Sequence, residues 1–357
     1  MNSLDQGRIS DAADKPSSLV TIGIPVFNGE KHLAQALDSA LAQDCPNLEI
    51  LISDNASTDG TQDICKEYRR RDSRIRYHRN KENLGASGNF QEVLKRANGE
   101  YFTWLACDDI LTRGDYVSKL AGYLDTNPDV VLCGCTTKAF VGEDLRATCT
   151  HVLEAVAPER DWKEARKEFF RWPQTACHFV IYGLYRRRPL LKVPVDGRTH
   201  WGRPVVLDME FPILSRLSNF GRIVSLPDME RAYRSHAYSS CNRDVEELST
   251  ASQFWLALRM KSTLLRTAAT LNVPADEKWE LIKLTLHNFL HHPLGRLPEF
   301  RADLENQRVE NGILRDACEE RLNLIHQQDA AMRLMTKRIE ELENQLAQTR
   351  AADENAR

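Results

Sequence analysis

Residues 19–61 read LVTIGIPVFNGEKHLAQALDSALAQDCPNLEILISDNASTDGT, and the fold turns on how this stretch divides. Residues 19–24 are apolar and rich in β-branched side chains, which predicts a buried strand. Pro25-Val26-Phe27-Asn28-Gly29-Glu30 then turns the chain. Residues 30–42 place Leu33, Leu37 and Leu41 at helical spacing. Residues 48–53 read as a second strand, followed by the polar run Asp54-Asn55-Ala56-Ser57-Thr58-Asp59-Gly60-Thr61.

Outward from this stretch the alternation continues. A polar helix is predicted over 61–71, a strand over 75–78, a helix over 87–97 with Phe90, Val93 and Leu94 on one face, and a strand over 101–105. Strands alternating with helices imply right-handed crossovers and a mainly parallel sheet. Further on, the pattern predicts a strand over 130–135, a helix over 162–172 and a strand over 223–226 leading to Tyr233-Arg234-Ser235-His236. After about residue 245 the composition turns helical. Phe254, Leu258 and Leu265 mark one amphipathic segment; Trp279, Ile282, Leu286 and Phe289 mark another. Ile325, Met332, Ile339 and Leu346 then fall at heptad spacing, with Met335 and Leu342 between them, although Arg321 and Gln328 occupy the matching upstream positions. This predicts a coiled coil and homo-oligomerisation. The organisation expected is a polar lead over 1–18, a catalytic domain over 19–244, a helical extension over 245–300 and a coiled-coil tail over 301–357.

Composition narrows the function. The 357 residues carry 48 Lys+Arg against 51 Asp+Glu, a net charge of −3 with 42% hydrophobic residues. That balance argues against a nucleic-acid binder and the apolar fraction against a disordered chain. No run approaches the ~20 apolar residues of a membrane span, and the first residues have no signal-peptide core. The nine cysteines are scattered without zinc spacing, as in a reduced, cytoplasmic protein. The sequon Asn55-Ala56-Ser57 is then coincidental.

In parallel sheets, ligands bind beyond the carboxyl ends of the strands. Asp54 stands at such an end, too far from the next helix to cap it, and can accept hydrogen bonds from a base or ribose. Ser57 and Asp59 read as caps. Asn83-Leu84-Gly85 and Asn89 follow the third strand, and Cys107-Asp108-Asp109 the fourth. Adjacent carboxylates repel unless a cation lies near, and hard oxygen ligands suit Mg²⁺ or Mn²⁺.

Taken together, Pro25-Val26-Phe27-Asn28, Ser53 through Thr61, Asn83-Leu84-Gly85 with Asn89, and Asp108-Asp109 resemble the ordered motifs of the family 2 glycosyltransferases. The resemblance is specific over about 19–120 and weaker to His236. It implies an α/β GT-A fold, a Rossmann-like mixed sheet flanked by helices, and inverting transfer of a sugar from a nucleotide-diphosphate sugar. By resemblance, Pro25, Phe27, Asn28 and Glu30 line the nucleotide pocket together with Asn55 and Asn89. Asp54 meets the base, Asn83 and Gly85 lie near the donor, and Arg234 grips the diphosphate. Asp108 takes the place of the last aspartate of the family's Asp-x-Asp motif, whose first position here is Ala106; Asp109 and His236 are the further metal candidates. The base falls at Glu210 or, two residues away, Asp208. The acceptor implied is a glycan, a lipid-linked glycan or a protein. Trp201 is a candidate for stacking on the acceptor, Trp104 for core packing. The run Arg186-Arg187-Arg188 is a solvated face or greets an anionic acceptor. Peripheral contact with the inner face of a membrane, through the helices at 252–291, is a further expectation.

Two other readings compete. A scaffold that retains the fold and assembles partners through its C-terminal helices fits Ala106. A nucleotidyltransferase would need a Gly-rich, basic loop after the first strand, which Pro25-Val26-Phe27-Asn28-Gly29 is not. A dehydrogenase is disfavoured because no G-x-G-x-x-G follows that strand.

Overall fold

The computed structural model describes residues 18–140, 147–171, 176–195, 198–200, 203–205, 210–234 and 250–291. All of its elements belong to one compact unit, Met1–Arg296. The heptads beyond residue 320 and the tail expected over 301–357 lie outside the described residues, as do Trp172, Trp201, Asp208 and His236.

The first half alternates strand and helix: β1 (Val20–Val26), α1 (Leu33–Leu41), β2 (Leu48–Asp54), α2 (Thr61–Arg71), β3 (Ile75–Arg79), α3 (Gly85–Arg96), β4 (Tyr101–Trp104), then α4 (Tyr116–Thr126), a helix not among those expected, and β5 (Val130–Phe140). The later half is less regular. It contains β6 (Ala147–His151), α5 (Trp162–Lys167), β7 (Leu184–Arg186), α6 (Arg187–Leu190), β8 (Arg198–His200), β9 (Arg203–Val205), α7 (Glu210–Leu217) and β10 (Arg222–Arg234). Two helices follow, α8 (Thr250–Thr270) and α9 (Ala275–His291).

The main sheet runs β10-β5-β7-β4-β1-β2-β3, with β6 paired to β5. All neighbours are parallel except at β7, which is antiparallel to both β4 and β5, and at β6. The sheet is therefore mixed. β7 is three residues long, too short to show a period, and it enters the middle of the sheet only through its long-range partners.

Helices cover both faces. Val20, Ile22, Ile24 and Val26 of β1 join Ile50 and Ile52 of β2 in one core beneath α1, α2 and α4. Phe102 and Trp104 of β4 point the other way, into a second core with Val93, Phe169, Leu214, Leu264 and Leu281. Alternate residues of a strand face opposite sides, so a strand covered on both faces is apolar throughout. Trp104 is a core residue, as expected; its Nε1–H donates to the Phe90 carbonyl at 3.2 Å.

Of the basic run, Arg188 is exposed, while Arg186 and Arg187 are tied to backbone carbonyls. Arg186 donates to the Val130, Leu124 and Asn127 carbonyls, and Arg187 donates through two nitrogens to the Ala97 carbonyl. Both cap the carbonyl ends of helices, where cations are favoured.

Candidate active site

From β1 the chain proceeds to β2 and β3 on one side, then returns to place β4 on the other. The crevice beyond the carboxyl ends of β1 and β4 is thus the topological switch point, where such sheets bind ligands. The loops expected to carry the site converge there.

The turns after β1 and β2 are latched together. The Asn28 N–H donates to Ser57 Oγ (2.9 Å), and Asn28 Oδ1 accepts from the Thr58 N–H (2.8 Å). The Gly29 N–H donates to Thr61 Oγ1 (2.8 Å), the Glu30 N–H to Asp59 (3.1 Å), and the Gly60 N–H back to Glu30 (3.1 Å). These bonds hold residues 29–31 in the turn, which is why α1 begins at Leu33 rather than at Glu30. Glu30, exposed at the turn, takes part in this latch through both its N–H and its carboxylate. Phe27 is 46% exposed at the mouth of the turn, while Pro25 is buried within β1. A Cβ on Gly29 would stand 2.5 Å from a Val26 methyl and 3.4 Å from Cys107 Sγ, so the first turn and the acidic loop approach closely. Asn28 and Ala56 both have left-handed backbones, at φ 53° and 62°; non-glycine residues rarely adopt these outside constrained sites.

Asp54 is fully buried at the end of β2. Its carboxylate accepts from the Ser57 N–H (2.8 Å), the Tyr77 hydroxyl (2.8 Å) and Arg79 (2.6 Å). Burial raises its pKa, but the bonds from Ser57, Tyr77 and Arg79 outweigh this and hold it below the ordinary carboxylate value. Direct reading of a base by Asp54 is therefore not what this arrangement displays. The group at the surface of this corner is Arg79, with its side chain 32% exposed. Arg79 and Tyr77 were not singled out from the sequence, although Arg79 ends β3 and so obeys the same rule that flagged Asp54.

Buried Asn55 and Asn89 anchor a scaffold that reaches the exposed Asn83 and the half-buried Gly85. Asn55 Nδ2 donates to Asn83 (2.7 Å) and to the Gly85 carbonyl (3.1 Å), while its Oδ1 accepts from Asn80 and the Leu84 N–H. Asn89 accepts from the Ser53 hydroxyl (2.7 Å) and donates to the Ser53 and Val26 carbonyls. Asn55 is 2% exposed with its amide nitrogen engaged, which removes the sequon as a glycan acceptor. Gly85 opens α3 with φ 72°, a conformation glycine adopts without a Cβ penalty.

In the acidic loop the two aspartates have separate fates. Asp109 is buried in an ion pair with Arg231, and its other oxygen accepts from the Arg234 N–H at 2.9 Å. Burial pushes its carboxyl up, to about 7, against the opposing charge of Arg231. Both of its oxygens are engaged by protein donors, Arg231 and the Arg234 N–H. Asp108 is half-buried at the cleft. Among the described residues no three His, Cys, Asp or Glu side chains cluster as a metal cage. Arg234 is 3% exposed. Its guanidinium lies over the Phe140 ring (4.6 Å) and donates to the Asp108 carbonyl (3.0 Å) and Gln35 (2.6 Å). It braces the acidic loop against α1 and is not displayed to a diphosphate.

Glu210 begins α7 and lines a small cavity with Phe90, Trp104, Ile181, Tyr182 and Ile213. Tyr182 joins this cavity to the acidic loop. Burial, then the charges of Glu210 and Asp109, push its hydroxyl well above the ordinary value, and the Arg231 guanidinium lies 4.5 Å from its ring centre. Asp208 cannot be placed beside it, because it lies outside the described residues.

The comparisons agree with this geometry. The family model described as glycosyl transferase family 2 matches residues 21–193. An uncharacterized glycosyltransferase of Rickettsia prowazekii is 31% identical over 276 residues, covering 77% of this chain and 78% of that protein. The abequosyltransferase RfbV of Salmonella typhimurium is 35% identical over 155 residues, 43% of each chain. The match thus spans less than half of RfbV. Among solved structures, S. aureus TarS in complex with UDP-GlcNAc has a TM-score of 0.58 at 17% identity, with 78% of each chain covered. The mannosyltransferase PcManGT from Pyrobaculum calidifontis, in complex with GDP-Man and Mn²⁺, has a TM-score of 0.51 at 15% identity, covering 83% of this chain and 85% of that one.

Proposed function

Since this chain belongs to glycosyltransferase family 2 and has its GT-A fold, we propose that it transfers a sugar from a nucleotide-diphosphate donor to an acceptor hydroxyl with inversion, Glu210 acting as the base. The observation that carries this reading is the position of Glu210. It lines a cavity with aromatic and aliphatic side chains, among them Tyr182, whose hydroxyl feels both Glu210 and Asp109 of the acidic loop. A carboxylate so placed can take the proton of an acceptor hydroxyl. Asp208 is the second candidate for this role.

The donor would lie across the carboxyl ends of β1, β2 and β4. Phe27 offers an exposed ring for a base, and Arg79, fixed by Asp54, offers donors. The latched turns and the asparagine scaffold hold this surface rigid. We assign the cation to Asp108, the half-buried carboxylate of the acidic loop. That donor set fits Mg²⁺ or Mn²⁺ held by one carboxylate and shared with phosphate oxygens, not a cage made by the protein alone. When bound, the ion would supply charge neutralisation for the departing diphosphate. The complexes of TarS with UDP-GlcNAc and of PcManGT with GDP-Man and Mn²⁺ support this class of donor. The acceptor proposed is a glycan, free, lipid-linked or on a protein, and the heptads at 325–346 would assemble copies of the chain.

The test is a donor screen. UDP, GDP, CDP and dTDP are added with Mn²⁺, and the shift in melting temperature is measured; ligands that bind only the native state raise it. The matching nucleotide-sugars are then assayed for hydrolysis. One nucleotide should stabilise the protein and its sugar conjugate should be turned over. Binding without turnover of any conjugate would favour the scaffold reading, and no binding at all would remove the enzyme reading.

A further inference from the structure

Asp54 closes β2 and Arg79 closes β3, and the parallel register sets the two residues side by side. A carboxylate at such a strand end could accept the ring N–H of a nucleobase. Here its oxygens are already occupied. Oδ1 of Asp54 accepts from the Ser57 N–H, and Oδ2 accepts from the Tyr77 hydroxyl and Arg79 Nη1, with the residue 0% exposed. Two neighbouring acceptors are occupied as well. The Ser57 carbonyl accepts from Arg79 Nη2 at 2.7 Å, and Asn28 Oδ1 accepts from the Thr58 N–H at 2.8 Å.

Donors are in surplus at the same corner. A guanidinium carries five N–H groups in a planar fork. Asp54 and Ser57 hold Nη1 and Nη2 through one bond each, which fixes the plane and leaves further N–H groups for a ligand. The Arg79 side chain is 32% exposed, so a ligand can reach it. The exposed Phe27 ring belongs to this corner too, because the N–H of the next residue, Asn28, donates to Ser57 Oγ at 2.9 Å. A ring that can stack on a base thus stands near a fork of donors that can meet the edge of that base.

We propose that Arg79 selects the base of the nucleotide donor, and that this base is guanine or cytosine. The polarity of the corner carries the choice. A fork of N–H donors is matched by two neighbouring acceptor atoms. Guanine shows O6 beside N7, and cytosine shows O2 beside N3. Uracil and thymine hold an N–H between their two carbonyls, and adenine sets its amino group beside N7 and N1, so each offers the fork a single acceptor. An accessible carboxylate would favour uracil through its ring N–H, but Asp54 is covered by Arg79. The inference rests on the nucleotide-sugar reading above and narrows it to a class of donor.

The test titrates the full chain, in the presence of Mn²⁺, with GDP, CDP, UDP and ADP. These share ribose and diphosphate, so differences among them report the base; dTDP completes the set. GDP or CDP should bind about tenfold or more tighter than the other three, as one bidentate contact provides, and the tighter of the two identifies the base. Arg79→Lys keeps a cation beside Asp54 but loses the fork. It should bind the preferred nucleotide about tenfold more weakly and UDP as the parent does. Tightest binding of UDP, ADP or dTDP, equal binding of all five, or a Lys variant that keeps the preference would overturn the proposal and leave the glycosyltransferase reading in place. Binding of no nucleotide would overturn both. Should the variant fail to fold, the order of affinities in the parent chain decides by itself.

Discussion

Arg231 and Asp109 stand 122 residues apart and form an ion pair in which both side chains are 1% exposed. The pair sits under the acidic loop, with Arg231 over Tyr182 and the Arg234 N–H on the second oxygen of Asp109. It fixes β10 to the loop that carries Asp108.

Removing one partner leaves the other charge buried and unpaired. Asp109→Ala should therefore destabilise the fold by about 3–5 kcal/mol, whereas replacing both partners with apolar residues of similar volume should cost much less. Urea denaturation of Asp109→Ala and of Asp109→Leu with Arg231→Met measures the difference. Equal losses in the two variants would show that the pair is not what stabilises this corner.

Asp54 gives the chain an acid-sensitive point. Its folded-state pKa lies below the ordinary value of 3.8, so folding favours the ionised form. The resulting stability is fully present above the unfolded pKa, near 4, and is lost as pH falls through the depressed folded value. Stability followed by denaturation from pH 6 down to pH 2 should fall more steeply in the parent chain than in Asp54→Asn. Parallel curves would refute the assignment.

Ala56 occupies φ 62° between Asn55 and Ser57. The left-handed conformation costs an L-residue about 1–2 kcal/mol, and the extra freedom of an unfolded glycine offsets roughly 0.4–1 kcal/mol of any relief. Ala56→Gly should stabilise the protein by about 0.5–1 kcal/mol. A destabilised variant would mean that the Ala56 methyl makes contacts worth more than the strain.

The base and the cation site separate by kinetics. Glu210→Gln should lower turnover by about 10²–10⁴-fold with donor binding retained. Should Asp208→Asn do so instead, the base is Asp208. Asp108→Ala should abolish the Mn²⁺-dependent part of the nucleotide-induced rise in melting temperature, and Asp109→Asn should leave that dependence in place at whatever temperature the variant melts.

Strand and helix periods are local properties of the chain, and so β1 to β4 with α1 to α3 were legible in advance to within a few residues, whereas α4 was not anticipated and β5 runs five residues beyond its expected end. The order of loops beyond those strands was legible for the same reason: a parallel sheet brings alternate loops to one edge. What side chains do at that edge was less legible. Asp54, Asn55, Asn89 and Asp109 are polar residues at strand ends, as ligand contacts are, yet each is held by other protein groups. Their partners Tyr77, Asn80, Ser53 and Arg231 are not marked by spacing.

The sequence by itself thus determined the alternating architecture, the switch-point edge and the residue types gathered there, because hydrophobic period and turn chemistry act over a few residues. Only the tertiary structure decided which of those residues face the cleft. That choice depends on where β7 and β10 join the sheet. β10 beside β5 delivers Arg231 to Asp109 and Arg234 to the Asp108 carbonyl, so that the buried Asp109 carboxylate meets donors from the protein itself.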